Sequence, residues 1–149
     1  MLKILDPALT ADVLYILRSM GHGDVVVITD TNFPAQSVAK TTTFGRPVMM
    51  DNISTPDAIR AILTVMPLDT FVDDFAMRME MVDDPTQIPP VQAEAQAEIN
   101  AAEGAERAML GVERFKFYDI AKTSYAIIQT GERRFYGCIM LREGVIPLE

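Results

Sequence analysis

The sequence predicts a single α/β domain, and three observations carry the prediction. Residues 25–29, Val25-Val26-Val27-Ile28-Thr29, are an unbroken β-branched run, the pattern of a strand buried on both faces. Stretches with apolar residues at helical spacing alternate with such strands, which is how a sheet covered by helices is encoded. The 149 residues are 49% hydrophobic and 23% charged, with no internal repeat and no compositional break, so one core over residues 1–149 is expected.

Asp6-Pro7 reads as a cap and first helical position, followed by Leu9, Val13, Leu14, Leu17 and Met20 at helical spacing, with Gly21 as the stop. After the strand at 25–29, Phe33-Pro34 breaks away and residues 32–46 read as loop. Val48-Met49-Met50 is a second short strand, ending in Asp51. Thr55-Pro56 opens a helix carrying Ile59, Ile62, Leu63 and Met66, and Pro67 closes it. Residues 76–82 alternate apolar and charged, as in an edge or half-exposed strand. Val91 to Leu110 is rich in Ala, Glu and Gln and reads as an exposed helix broken near Gly104. Phe115 to Ala121 is helical, Tyr125 to Gln129 a strand, Thr130-Gly131-Glu132 a turn, and Phe135 to Leu141 a final apolar strand.

The net charge of −8 argues against nucleic acid or an anionic membrane surface as partner, because either needs a basic patch. A single cysteine, Cys138, excludes an intramolecular disulfide, and one histidine with one cysteine leaves too few soft ligands for a structural zinc site. No apolar stretch approaches the ~20 residues of a spanning helix. The N-terminus lacks a basic region followed by an apolar core, so a cytoplasmic protein is expected.

With one histidine in the chain, imidazole chemistry must come from His22, in Met20-Gly21-His22-Gly23-Asp24. The stretch reads either as a tight connection between helix and strand or as an acid/base site. An imidazole with an ordinary pKa of about 6.5 can give or take a proton near neutrality. Asp30, just after the strand, favours the second reading, since the carboxyl edge of a buried strand is where open α/β sheets bind ligands. On this view His22 and Asp30 converge on one pocket. Asp30 and Asp69 each read equally well as a turn former or a ligand contact. Arg114 and Tyr118 are four apart and share a helix face, which by spacing alone reads more readily as a surface arginine beside a half-buried tyrosine than as a site pair. Tyr136 and Cys138, in the last predicted strand, point to one side, with Gly137 between them permitting close approach.

Taken together, Met20-Gly21-His22-Gly23-Asp24, Asp30 with Asn32-Phe33-Pro34-Ala35, Pro67-Leu68-Asp69-Thr70, Glu113-Arg114-Phe115, Phe117-Tyr118, Ala121-Lys122, Thr130-Gly131-Glu132, Tyr136-Gly137 and Gly144-Val145 resemble the family of L-fucose mutarotase and D-ribose pyranase, closest to the fucose branch. The resemblance implies a three-layer subunit, a central sheet flanked by helices, assembled with itself into rings that in the family are often stacked to decamers. It implies a mutarotase domain over residues 1–149 that interconverts the anomers of a free monosaccharide with no cofactor and no metal. It assigns proton transfer to His22 and Tyr118, and sugar contacts to Asp30, Asp69, Met79, Arg114 and Tyr136. The family usually reads Tyr-Gly-Asn where this chain has Tyr136-Gly137-Cys138; a thiol replaces an amide as the sugar-site group at position 138.

The residues suit that chemistry. Opening a cyclic hemiacetal needs one proton removed from the anomeric hydroxyl and one delivered to the ring oxygen, which two acid/base groups supply. The competing expectation is a non-catalytic monosaccharide-binding or transport-accessory protein, to which Cys138 points. His22 together with Tyr118 favours the enzyme. A ring-forming scaffold with a vestigial site is the third.

Overall fold

Thr10 starts the first helix in the computed structural model, which describes residues 2–148. Its hydroxyl accepts from the Val13 amide at 3.3 Å and caps α1 (Ala11–Ser19). The cap is therefore not Asp6. The Asp6 carboxylate instead accepts from the Ala8 amide at 2.8 Å and closes a turn, so Asp6-Pro7 precedes the helix rather than opening it. β1 (Val25–Thr29) follows, buried at every residue as the β-branched run predicts.

Within the stretch expected to be loop lies a five-residue helix, α2 (Ala35–Ala39), because the apolar Ala35, Val38 and Ala39 all find cover. β2 (Val48–Met50) leads to α3 (Thr55–Leu63), capped by Ser54 with Pro56 in its first turn. Then come β3 (Ala76–Met79), α4 (Pro90–Glu103), β4 (Leu110–Val112) and α5 (Arg114–Lys122). Glu113 caps α5 by accepting from the Phe115 and Lys116 amides at 2.9 and 3.0 Å. β5 (Ala126–Thr130) and β6 (Ile139–Arg142) complete the chain.

The sheet has six strands in the order β2-β5-β1-β6-β3-β4. β6 alone runs against the rest, antiparallel to both β1 and β3. Alternate residues of β1 feed two cores. Val26 and Ile28 pack with α1, α3 and α4 on one face, whereas Val25 and Val27 pack with α2 and α5 on the other. These are the three expected layers, a central sheet between helices.

Three further expectations fail. β3 is interior, because the unforeseen strand β4 pairs along its outer side. α4 is exposed on one face only, since Val91, Gln92, Ala95 and Ile99 are buried. The final strand begins at Ile139 rather than Phe135, leaving Tyr136, Gly137 and Cys138 ahead of it. Among the described residues, no helix is long and apolar enough to cross a membrane.

Candidate active site

The C-terminal ends of the parallel strands open onto a cavity of about 230 Å³, small enough to suit a ligand below drug size. Asp30 follows β1, Met79 ends β3, Arg114 and Tyr118 come from the first turns of α5, and Tyr136 and Cys138 come from the approach to β6. Six of the eight residues predicted for the site thus meet here.

Asp30 does two jobs. Its Oδ1 accepts from the amides of Asn32 and Phe33 at 2.9 and 3.1 Å, which shapes the turn after β1. Its Oδ2 accepts from the Gly137 amide at 3.1 Å and from the Cys138 thiol at 3.5 Å. Burial, reinforced by the Asp30 charge, pushes the Cys138 thiol well above the ordinary thiol range, so it stays protonated as that donor. The turn-forming reading of Asp30 holds, and the same side chain also lines the cavity.

Tyr118 stacks on Phe33 with ring centroids 5.3 Å apart at 27°, and Phe33 meets Phe117 edge-on at 6.5 Å. Such pairs contribute about 0.5–1.5 kcal/mol beyond burial and fix the Tyr118 ring. Burial foremost, then the neighbouring Cys138 and Asp30, raise the Tyr118 phenol above the ordinary tyrosine range, while Arg114 opposes them. The hydroxyl is therefore a protonated donor at neutral pH. Arg114 lies over Phe115, its guanidinium carbon 4.8 Å from the ring centroid, and its enclosed Nε–H meets no protein acceptor. Arg114 lines the cavity with Tyr118.

Tyr136 sits at φ +63°, a left-handed conformation costing a non-glycine residue about 1–3 kcal/mol. Its side chain lines the cavity, and its hydroxyl accepts from the Val82 amide at 3.3 Å. Asn32, Phe33 and Phe135 also line the cavity and were not predicted. Asn32 and Phe33 belong to the Asn32-Phe33-Pro34-Ala35 motif, which was the available signal. Phe135 had none, because it was read as a strand residue.

His22 and Asp69 are elsewhere. His22 precedes β1 and Asp30 follows it, so the strand separates them by roughly 17 Å at ~3.3 Å per residue. Convergence of His22 and Asp30 on one pocket does not occur within the chain. His22 instead pairs with Asp69: Nε2 lies 3.1 Å from Oδ2, with the imidazole half-exposed and the carboxylate buried. Phe71 sits edge-on to the imidazole at 6.4 Å. A carboxylate on one ring nitrogen fixes the tautomer and leaves Nδ1 free to exchange a proton.

The end of β6 builds this second centre. The Arg142 carbonyl accepts from the Asp69 amide at 3.1 Å, and its guanidinium donates to the Gly23 carbonyl at 2.9 Å. The Gly144 amide donates to the Pro67 carbonyl at 2.9 Å, an approach so close that a Cβ there would lie 2.4 Å from the Leu68 oxygen. Gly23, at φ +87°, turns the chain from His22 into β1.

Comparison with known proteins agrees with this architecture. The sequence model of the RbsD / FucU transport protein family matches residues 3–146. Fucose mutarotase of Homo sapiens is 37% identical over 150 residues, covering 99% of this chain and 96% of that one. The crystal structure of the protein Atu2016 is 56% identical, with a TM-score of 0.96 over 99% of this chain and 97% of that one. The crystal structure of the fucose mutarotase from Streptococcus pneumoniae in complex with L-fucose is 32% identical, with a TM-score of 0.87 over 98% of this chain and all (100%) of that one.

Proposed function

Because the chain belongs to the RbsD / FucU transport protein family, we propose that it is a sugar mutarotase, interconverting the α and β anomers of L-fucose or a related free monosaccharide. The observation that carries this reading is the His22–Asp69 pair. A half-exposed imidazole steered by a buried carboxylate is a proton-transfer device that a mere sugar carrier does not need.

The reaction needs no net proton. A base takes the proton from the anomeric hydroxyl while an acid protonates the ring oxygen, and the bond from C1 to the ring oxygen breaks. The freed aldehyde turns about C1–C2. The hydroxyl then attacks the other carbonyl face, and both protons return. Tyr118 is the acid, since its phenol is held protonated, and His22 is the base through Nδ1. Arg114 and Tyr136 hold sugar oxygens, Met79 packs on the ring, and Asp69 orients His22.

His22 and Tyr118 lie at opposite ends of one subunit, so the reaction requires two copies. Each complete site takes His22 and Asp69 from one copy and the Asp30–Tyr118 pocket from the next. A contact between two different ends is heterologous, and a heterologous contact that closes makes a ring. This is where the expected ring-like homo-oligomer finds its support.

Exchange NMR of anomeric protons over L-fucose, D-galactose and L-rhamnose tests the reading. The wild-type protein accelerates exchange in at least one sugar, and His22→Ala and Tyr118→Phe each lose ~10²–10⁴ of that rate. Mixed and co-assembled, the two variants recover part of it, because some sites then receive both intact halves. Sugar binding without exchange refutes the enzyme and leaves the carrier. His22→Ala at the wild-type rate refutes the proton assignment, and an active 16.5 kDa monomer in sedimentation refutes the shared site.

A further inference from the structure

Gln92 is fully buried on α4, a helix whose sequence looks like solvent-facing Ala, Gln and Glu. A buried amide must place its donors. Its Nε2 donates to the Met79 carbonyl at 2.7 Å and to the Tyr136 carbonyl at 2.9 Å, and its Oε1 accepts from Arg78 at 3.4 Å. Both carbonyls belong to residues that line the cavity. One amide therefore fixes the end of β3 and the pocket loop to each other.

The second carbonyl matters most. Tyr136 holds a left-handed backbone that its side chain disfavours, so its surroundings must impose it. The backbone on either side of Gly137 is gripped at two further points. Asp30 accepts from the Gly137 amide at 3.1 Å, and the Thr55 hydroxyl donates to the Gly137 carbonyl at 2.8 Å. Gln92 is the member of this clamp that takes the Tyr136 carbonyl itself, and it is outside the cavity.

We infer that Gln92 is a positioning residue for sugar affinity: its two donors hold Tyr136 and Met79 in the arrangement that receives the sugar. The inference rests on the mutarotase reading of the pocket. Gln92→Met keeps the side chain's length and removes both donors. Gln92→Glu keeps its shape and sets acceptors against two carbonyl oxygens.

The test measures KM and kcat for anomer exchange of L-fucose, with its dissociation constant by calorimetry as a readout that needs no turnover. Gln92→Met raises KM and the dissociation constant about tenfold and changes kcat little, the signature of lost ground-state binding. Gln92→Glu raises them further. Tyr136→Ala raises KM too, and combined with Gln92→Met it raises KM by less than the two separate effects together, because Gln92 acts in part through Tyr136. Ile99→Val, which trims the same buried face of α4 away from the pocket, leaves KM unmoved. Active wild type with unchanged KM in both Gln92 variants, or additive effects with Tyr136→Ala, overturns this inference alone. Wild type that exchanges no anomers overturns the mutarotase reading, while the dissociation constants still judge Gln92. Failure of both Gln92 variants to fold assigns the residue to the fold and overturns the inference.

Discussion

Replacing Cys138 by asparagine installs the residue that the family resemblance leads one to expect and tests what the cavity wall does. Cys138 is 2% exposed, and its thiol donates to Asp30 at 3.5 Å, a weak bond at long range. An asparagine amide in its place donates to the same carboxylate, and hydrogen bonds to charged groups contribute about 1.5–3 kcal/mol. With the NH₂ on Asp30, the amide oxygen turns into the cavity and accepts from a sugar hydroxyl. A neutral bond of that kind contributes about 0.5–1.5 kcal/mol, which is two- to roughly tenfold in affinity. Calorimetric titration of L-fucose into Cys138→Asn, beside a thermal melt, checks both parts: binding tightens several-fold and Tm holds. The opposite result is equally clear. Should the site lack room for the amide, an unpaired polar group is buried at about 1–3 kcal/mol, and Tm falls by ~2–4 °C per kcal/mol in a chain of this size. A lower Tm with unchanged sugar affinity refutes the sugar-site role of position 138.

Two further predictions follow from the geometry. Gly144→Ala places a Cβ 2.4 Å from the Leu68 oxygen and 2.8 Å from the Asp69 nitrogen, so it destabilises the protein by about 1–3 kcal/mol and slows anomer exchange by displacing Asp69; a wild-type melt and rate contradict this. Glu132 is held below the ordinary glutamate pKa of 4.5, first by its bonds to the Arg134 side chain and against its own burial, so it stabilises the fold above that pH and loses this as pH falls through the lower folded value. Glu132→Gln is less stable at pH 7 by about 1.5 kcal/mol, a low figure because Arg134 is half-exposed, and its stability falls less steeply below pH 4.5; equal slopes in urea unfolding from pH 7 to 3 contradict the assignment.

Much of the fold was legible because it is written in side chains that cannot be placed otherwise. β1 shows itself through five β-branched residues, and α3 through Pro56 and its apolar spacing. β4 was not legible: it is three residues long, contains Gly111, and exists because β3 offers a free side. α4 misled because its buried face has only Val91 and Ile99 as bulky apolar residues, the rest being Ala95 and the polar Gln92. Tyr136 misled because an apolar run implies extended backbone, and nothing local to a tyrosine encodes a left-handed turn. The site was half legible. Motifs pointed to six residues that line one cavity, but nearness in sequence made His22 and Asp30 look like neighbours when a buried strand keeps them apart.

The two peptide groups that flank Gly137 are held by partners 44, 82 and 107 residues away in the chain. Contacts of such long range form only after the intervening loops have closed, so this corner of the molecule assembles late in folding. Once formed, it has no local route to opening, because releasing it means parting β1, α3 and α4 from the loop together. The Gly137 amide should therefore exchange its proton with solvent as slowly as the central strands do, through global unfolding rather than fraying. A ligand seated against those peptide groups draws on four distant stretches of chain at once, and its binding raises the resistance of the whole molecule to heat and proteolysis.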